Sequence, residues 1–182
     1  MSDTSNKSSR EFISLNIAIL CVSDSRTIEN DTSGKFLKNA VISEGHKLSG
    51  HYLVRDDFDQ IRDVLSRLST NRDVDVVIST GGTGLTGRDV TVEAHRSIYE
   101  KEIDAFGPTF AQVSFNKIGA SAIQSRACGG VINGKFLFAL PGSPSACDDA
   151  WNEILKSQLD YRNRPCNLVE ILPRLEEHKK RK

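Results

Sequence analysis

The chain has 182 residues, 24 basic and 24 acidic side chains, a hydrophobic share of 38% and four cysteines. A formal charge of zero gives no electrostatic argument for nucleic acid or an anionic membrane as partner, and no apolar run reaches the length of a membrane span. Residues 1–12 (MSDTSNKSSREF) lack the apolar centre of a signal peptide and read as a polar, mobile lead-in.

Residues 15–22 (LNIAILCV) form a short apolar run that predicts a buried strand, followed by Ser23 and Asp24. Asn30-Asp31-Thr32-Ser33 offers caps for a helix to about Glu44, with Phe36, Leu37, Ala40 and Val41 on one face and Gly45 as its stop. Lys47–Val54 predicts a second strand. Residues 58–68 predict an amphipathic helix striped by Phe58, Ile61, Leu65 and Leu68. A third strand is expected over 74–80. It runs into Gly81-Gly82-Thr83-Gly84 and on through Arg88-Asp89-Val90-Thr91. Glycines there permit a sharp turn and close approach of backbone to a ligand, and Asp89 adds a carboxylate. The loop is not a Walker A loop, because Leu85 and Thr86 stand where Lys-Ser/Thr is required, and it does not fit G-x-G-x-x-G in register. Helices are expected over 91–100 and 106–115, while 118–127 shows no clear period. Lys135–Leu140 predicts a strand leading into Pro141-Gly142-Ser143-Pro144, and 145–159 a last helix with Trp151, Ile154 and Leu155 on its apolar side.

Alternation of strands and helices predicts an α/β fold: a mostly parallel sheet with helices on both faces. A single domain is expected over 13–172, with a charged, solvated tail at 173–182. Cys21, Cys128, Cys147 and Cys166 form no C-x-x-C pair and read as reduced, mostly buried thiols of a cytoplasmic protein. His46, His51, His95 and His178 show no metal spacing and read as surface or packing residues.

Parallel strands put their carboxyl ends on one edge, where ligands bind in such folds. Four segments should meet there: Ser23-Asp24, Arg55-Asp56-Asp57, the loop from Gly81 to Asp89, and the turn from Pro141 to Ser145. A helix begun at Pro144 points N–H groups and a positive dipole end at the cleft, and Ser143 and Ser145 add hydroxyls, which together suit an anion. The same segment can be read as an N-capped helix after a proline turn. Asp56 and Asp89 beside such a cradle would repel phosphate unless a divalent cation lies between them, as Mg²⁺ does with one or two carboxylates. Either Asp56 or Asp57 can instead cap the following helix, and Arg88 and Arg126 can be phosphate partners or surface ion pairs.

Together these residues resemble the molybdenum cofactor biosynthesis family that includes protein B of that pathway and molybdopterin adenylyltransferase. The resemblance rests on Asp31-Thr32-Ser33-Gly34, Thr80-Gly81-Gly82-Thr83-Gly84, Arg88-Asp89-Val90-Thr91, Ser125-Arg126 and Pro141-Gly142-Ser143-Pro144. It covers roughly residues 15–159, and residues 161–167 (YRNRPCN) also look like the protein B branch. It departs at Arg55 and Val92, where many members carry proline. The resemblance implies a three-layer α/β/α sandwich, assembly as a homotrimer or homohexamer, and binding of molybdopterin. It also implies adenylylation of the terminal phosphate of molybdopterin by ATP with Mg²⁺, releasing pyrophosphate. Asp56 and Asp89 match the catalytic, metal-facing acids. Ser23, Thr80, Gly81, Gly82, Thr83, Gly84, Ser125, Arg126, Pro141, Gly142 and Ser143 are the expected substrate contacts. The alternative is a carrier or paralogue that binds molybdopterin without chemistry and has no need of ATP.

Overall fold

The computed structural model describes residues 9–180. Most of the lead-in expected at 1–12, and the last two residues of the expected tail, lie outside the described residues. Six strands form one sheet: β1 (Asn16–Val22), β2 (Lys47–Val54), β3 (Val76–Thr80), β4 (Lys101–Glu102), β5 (Cys128–Ile132) and β6 (Lys135–Leu140), in the order β2-β1-β3-β6-β5-β4. The first four in that order are parallel neighbours. β5 runs antiparallel to both β6 and β4.

Period-two alternation along the strands divides the core into two layers. Ile17, Ile19, Val76, Ile78, Phe136 and Phe138 face one way, against Leu37 and Val41 of α1 (Thr32–Ser43), Phe106 and Phe110 of α4 (Phe106–Ile118), and Cys147 and Trp151. Ala18, Leu20, Val22, Val77 and Leu137 face the other way, against Ile61, Leu65 and Leu68 of α2 (Phe58–Thr70) and Ala94 of α3 (Thr91–Arg96). The result is the expected α/β/α arrangement. The last long helix, α5 (Pro144–Ala150), continues through a π-type segment at Trp151–Leu155 and closes at Gln158.

Expected strands and helices are all present, with ends shifted by a few residues. Asp31 caps α1 by accepting the Gly34 N–H at 2.9 Å, and Gly45 (φ +91°) stops it. Asp57, not Asp56, caps α2, accepting the Gln60 N–H at 2.9 Å. The helix expected over 91–100 ends at Arg96, and residues 119–124 form a 3₁₀ turn. β4 and β5 had no counterpart in the sequence reading. Cys128-Gly129-Gly130 lacks an apolar alternation, but Asn133-Gly134, both at positive φ, is a two-residue hairpin signal that pairs β5 with β6. No helix among the described residues is long and apolar enough to cross a membrane.

Candidate active site

The carboxyl ends of β1, β2, β3 and β6 share one edge, because these strands are parallel neighbours. After β3 the backbone turns at Gly81 (φ +101°) and Gly82 (φ +62°). A Cβ at Gly81 would stand 2.2 Å from the Val22 carbonyl oxygen, and one at Gly142 would stand 3.1 Å from Gly81 Cα. The glycine loop and the Pro141-Gly142 turn therefore touch backbone to backbone, a contact only residues without side chains allow.

Asp56 extends from the end of β2 toward this loop. Its Oδ1 accepts the Val90 N–H at 3.3 Å, and its own N–H donates to Asp24 Oδ1 at 3.3 Å. Partial burial, then the nearby Asp89 and Asp24 carboxylates, holds its pKa above the ordinary aspartate value, against the pull of the Val90 N–H and Arg88. Asp89 is held differently. Its Oδ2 accepts the Thr86 hydroxyl at 2.6 Å and the Thr86 N–H at 2.9 Å. The Thr86 hydroxyl bond first, with the Thr86 and Gly84 N–H groups, keeps its pKa below the ordinary value. The two acids thus differ: hydrogen bonds favour the charged form of Asp89, whereas partial burial, and then like charge, disfavours that of Asp56.

Thr91, at the start of α3, is fully buried, and its hydroxyl has no hydrogen-bond partner. A Cβ at Gly82 would lie 2.4 Å from that hydroxyl and 2.6 Å from Asp56 Oδ2, so both oxygens border the same small space. Among the described residues no three histidine, cysteine or acidic side chains gather as a ready-made metal cage. Asp56, Asp89 and the Thr91 hydroxyl supply only hard oxygens, which suit Mg²⁺ when substrate oxygens complete the shell. A cleft of about 680 Å³ opens on the Asp56 side, lined by Asp24, Arg55, Asp56, Asp57, Phe58, Gln60, Gly87, Arg88 and Val90.

Several expected substrate contacts have partners inside the protein. The Ser23 hydroxyl accepts the Ser25 and Arg26 N–H groups at 3.3 and 3.2 Å. The Thr80 hydroxyl, 1% exposed as a residue, donates to the Pro141 carbonyl at 2.9 Å. Thr83 is buried. The Ser143 hydroxyl caps α5 through the Ala146 N–H at 3.2 Å. Ser125 lies half-buried directly after the 3₁₀ turn. The Arg126 guanidinium is directed into the glycine loop, and Arg88 pairs with Asp24 at the surface.

Other residues brought to the edge had no site role in the sequence reading. Arg26 donates to the Gly142 carbonyl at 3.1 Å and to the Ser33 hydroxyl at 3.1 Å, while that hydroxyl donates to the same carbonyl at 2.7 Å. Together they tie the Pro141–Ser143 turn to the start of α1. Thr86 and Glu93 complete the loop's internal bonding. Ser33 lies inside one of the quoted motifs, which was the one available signal. Arg26 stands just past the first strand and pairs locally with Asp31 and Ser33, but its bond to Gly142 spans 116 residues and has no local mark.

The family described as "Probable molybdopterin binding domain" matches residues 18–161. "Molybdenum cofactor biosynthesis protein B" of Escherichia coli (strain K12) is 45% identical over 159 residues, 87% of this chain and 94% of that protein. "Probable molybdopterin adenylyltransferase" of Methanocaldococcus jannaschii is 38% identical over 151 residues, 79% of this chain and 89% of that protein. A crystal structure of molybdenum cofactor biosynthesis protein B superposes with a TM-score of 0.83 at 36% identity, covering 92% of this chain and 99% of that one.

Proposed function

The chain belongs to the molybdopterin-binding domain family, and from that premise we propose that it adenylylates molybdopterin with ATP and Mg²⁺. The terminal phosphate of molybdopterin attacks the α-phosphorus of ATP. One P–O bond forms, the α–β bridging P–O bond breaks, and pyrophosphate leaves. A phosphate monoester is already anionic at neutral pH, so no strong base is required, and the protein's contribution is alignment and charge compensation.

The observation that carries this reading is the pair of acids on either side of the glycine loop. Asp56 has a pKa raised by burial and by like charge, and Asp89 is a fixed carboxylate. A pterin carrier has no use for two acids beside an anionic ligand, whereas a nucleotidyl transferase does. Asp56 and Asp89 would hold Mg²⁺, with the Thr91 hydroxyl beside them, and the ion would neutralise charge on the polyphosphate. The backbone of Gly81, Gly82 and Gly84, with Ser125 and the Pro141–Ser143 turn, forms the wall for the pterin and its phosphate. The cleft beside Asp56 is where the nucleotide is proposed to lie.

Assembly as a homotrimer or homohexamer in the cytoplasm belongs to the same proposal. Support for a reducing compartment comes from Cys21, Cys128 and Cys147, which are buried thiols outside any disulfide. Sedimentation equilibrium decides between trimer and hexamer. Incubation with molybdopterin, ATP and Mg²⁺, followed by detection of adenylylated pterin and pyrophosphate, tests the activity. Pterin binding with neither product nor Mg²⁺-dependent nucleotide binding by calorimetry would identify a carrier instead.

A further inference from the structure

We infer that Arg126 is a positioning residue: its guanidinium fixes the glycine loop and so places Asp89, and it does not itself hold substrate phosphate. Its Nε–H lies 3.0 Å from both the Thr83 and Gly84 carbonyl oxygens. Nη2 donates to the Asp89 carbonyl at 3.3 Å. Nη1 and Nη2 also pair with the two carboxylate oxygens of Glu93, the second at 3.2 Å. One planar group thus joins the start of the loop, its end, and the first turn of the helix that follows.

Three features favour positioning over phosphate binding. The guanidinium is charge-neutralised by Glu93, so a phosphate would have to displace a two-point ion pair. The partly buried side chain (27% exposed) puts its fork against carbonyl oxygens, which need a fixed donor array. The acceptors at Thr83, Gly84 and Asp89 span the segment that carries the acid, so loss of the clamp frees that segment. The arrangement also accounts for Arg over Lys here, because an ammonium lacks the planar fork that reaches all of these acceptors together.

The activity readouts rest on the adenylylation proposed above, while amide exchange and pterin titration do not. Arg126→Gln and Arg126→Lys should both lower kcat by about 10- to 100-fold, the usual range for groups that orient a metal-site ligand. The dissociation constant for molybdopterin, titrated without ATP or Mg²⁺, should rise by a similar factor in both variants, because each loosens the Gly84 backbone whatever charge it keeps. Amide exchange over residues 83–89 should accelerate in both variants. Glu93→Gln should lower kcat in the same direction, less strongly.

A phosphate-binding Arg126 makes opposite predictions. Arg126→Lys would then largely rescue Arg126→Gln. Arg126→Gln would weaken molybdopterin binding about tenfold or more while the charge-keeping Arg126→Lys would not, and Glu93→Gln would tighten it by releasing the cation. Any of these results, or unchanged exchange over 83–89, overturns the inference. If the wild-type protein makes no adenylylated product, the proposed reaction fails, and pterin titration and exchange still decide the role of Arg126.

Discussion

Gly82 and Asp56 meet so closely that a Cβ on the glycine would stand 2.6 Å from Asp56 Oδ2, with the buried Thr91 hydroxyl 2.4 Å away on another side. The glycine is thus required twice, once for its positive φ and once for the space it leaves beside the acid.

Gly82→Ala should therefore disable the site and lower stability. The left-handed conformation alone costs a residue with a Cβ roughly 1–2 kcal/mol, before any displacement of Asp56. Gly87→Ala is the matched control, since nothing lies within 4 Å of its Cβ position and its expected effect is within about 0.5 kcal/mol. Urea unfolding of the two variants, with product assays alongside, makes the comparison. Equal midpoints would refute the steric account.

Asp89→Ala should lose most turnover, on the order of 100-fold or more if the carboxylate meets charge in the transition state, while the protein stays folded. Its carboxylate closes a surface loop through Thr86. Circular dichroism should match wild type. Near-normal formation of adenylylated pterin would remove Asp89 from the mechanism.

Asp56 links the site to pH. Its pKa is raised in the folded protein, so its stabilising contribution is full below the ordinary aspartate value and is lost as pH rises through the raised one. At neutral pH the ionised group works against folding. Asp56→Asn should therefore raise Tm at pH 7 in the absence of divalent cation. Mg²⁺ should raise the Tm of wild type and leave the variant nearly unmoved. Thermal melts with and without Mg²⁺ read both effects, and a lower Tm for Asp56→Asn in chelator would count against the charge argument.

His95 sets a second pH dependence, away from the substrates. It is wholly buried, with one ring nitrogen 2.8 Å from the Ser79 hydroxyl and the other 2.9 Å from the Tyr99 hydroxyl. Burial pushes its pKa down from 6.5 to about 3. The unfolded chain takes up a proton there that the folded chain refuses. Stability from this group is present above the ordinary imidazole value and falls by about 1.4 kcal/mol per pH unit as pH drops below it. His95→Gln should flatten that slope between pH 6.5 and 4.5, measured by urea unfolding at several pH values. A slope equal to wild type would show that His95 is not its source.

Much of this was legible along the chain. Period-two strands, helix stripes and the caps Asp31 and Asp57 are local properties, set by residues a few positions apart, and their elements stand where the sequence places them. The short β5 was not legible as a strand, because Gly129 and Gly130 carry no side chain to show which face is buried. The local mark of this hairpin is Asn133-Gly134, both at positive φ. Within the site, the glycine loop and both acids could be named from the sequence, but the partners of the polar groups could not. Thr80 donates to Pro141 across the sheet edge, and nothing near Thr80 in the chain marks that.

By itself, the sequence determined the α/β alternation, the edge on which the strand ends collect, and the family the chain belongs to. These follow from short-range periodicity and from motifs carried in contiguous residues. Only the tertiary structure decided that Arg126 turns inward onto the loop, that Arg26 and Ser33 hold Gly142, and that Thr91 is buried beside Asp56. A donor's choice among acceptors depends on which carbonyls the folded backbone leaves within 3 Å or so of it. For Arg126 those carbonyls lie about 40 residues away in sequence, beyond the reach of any local pattern.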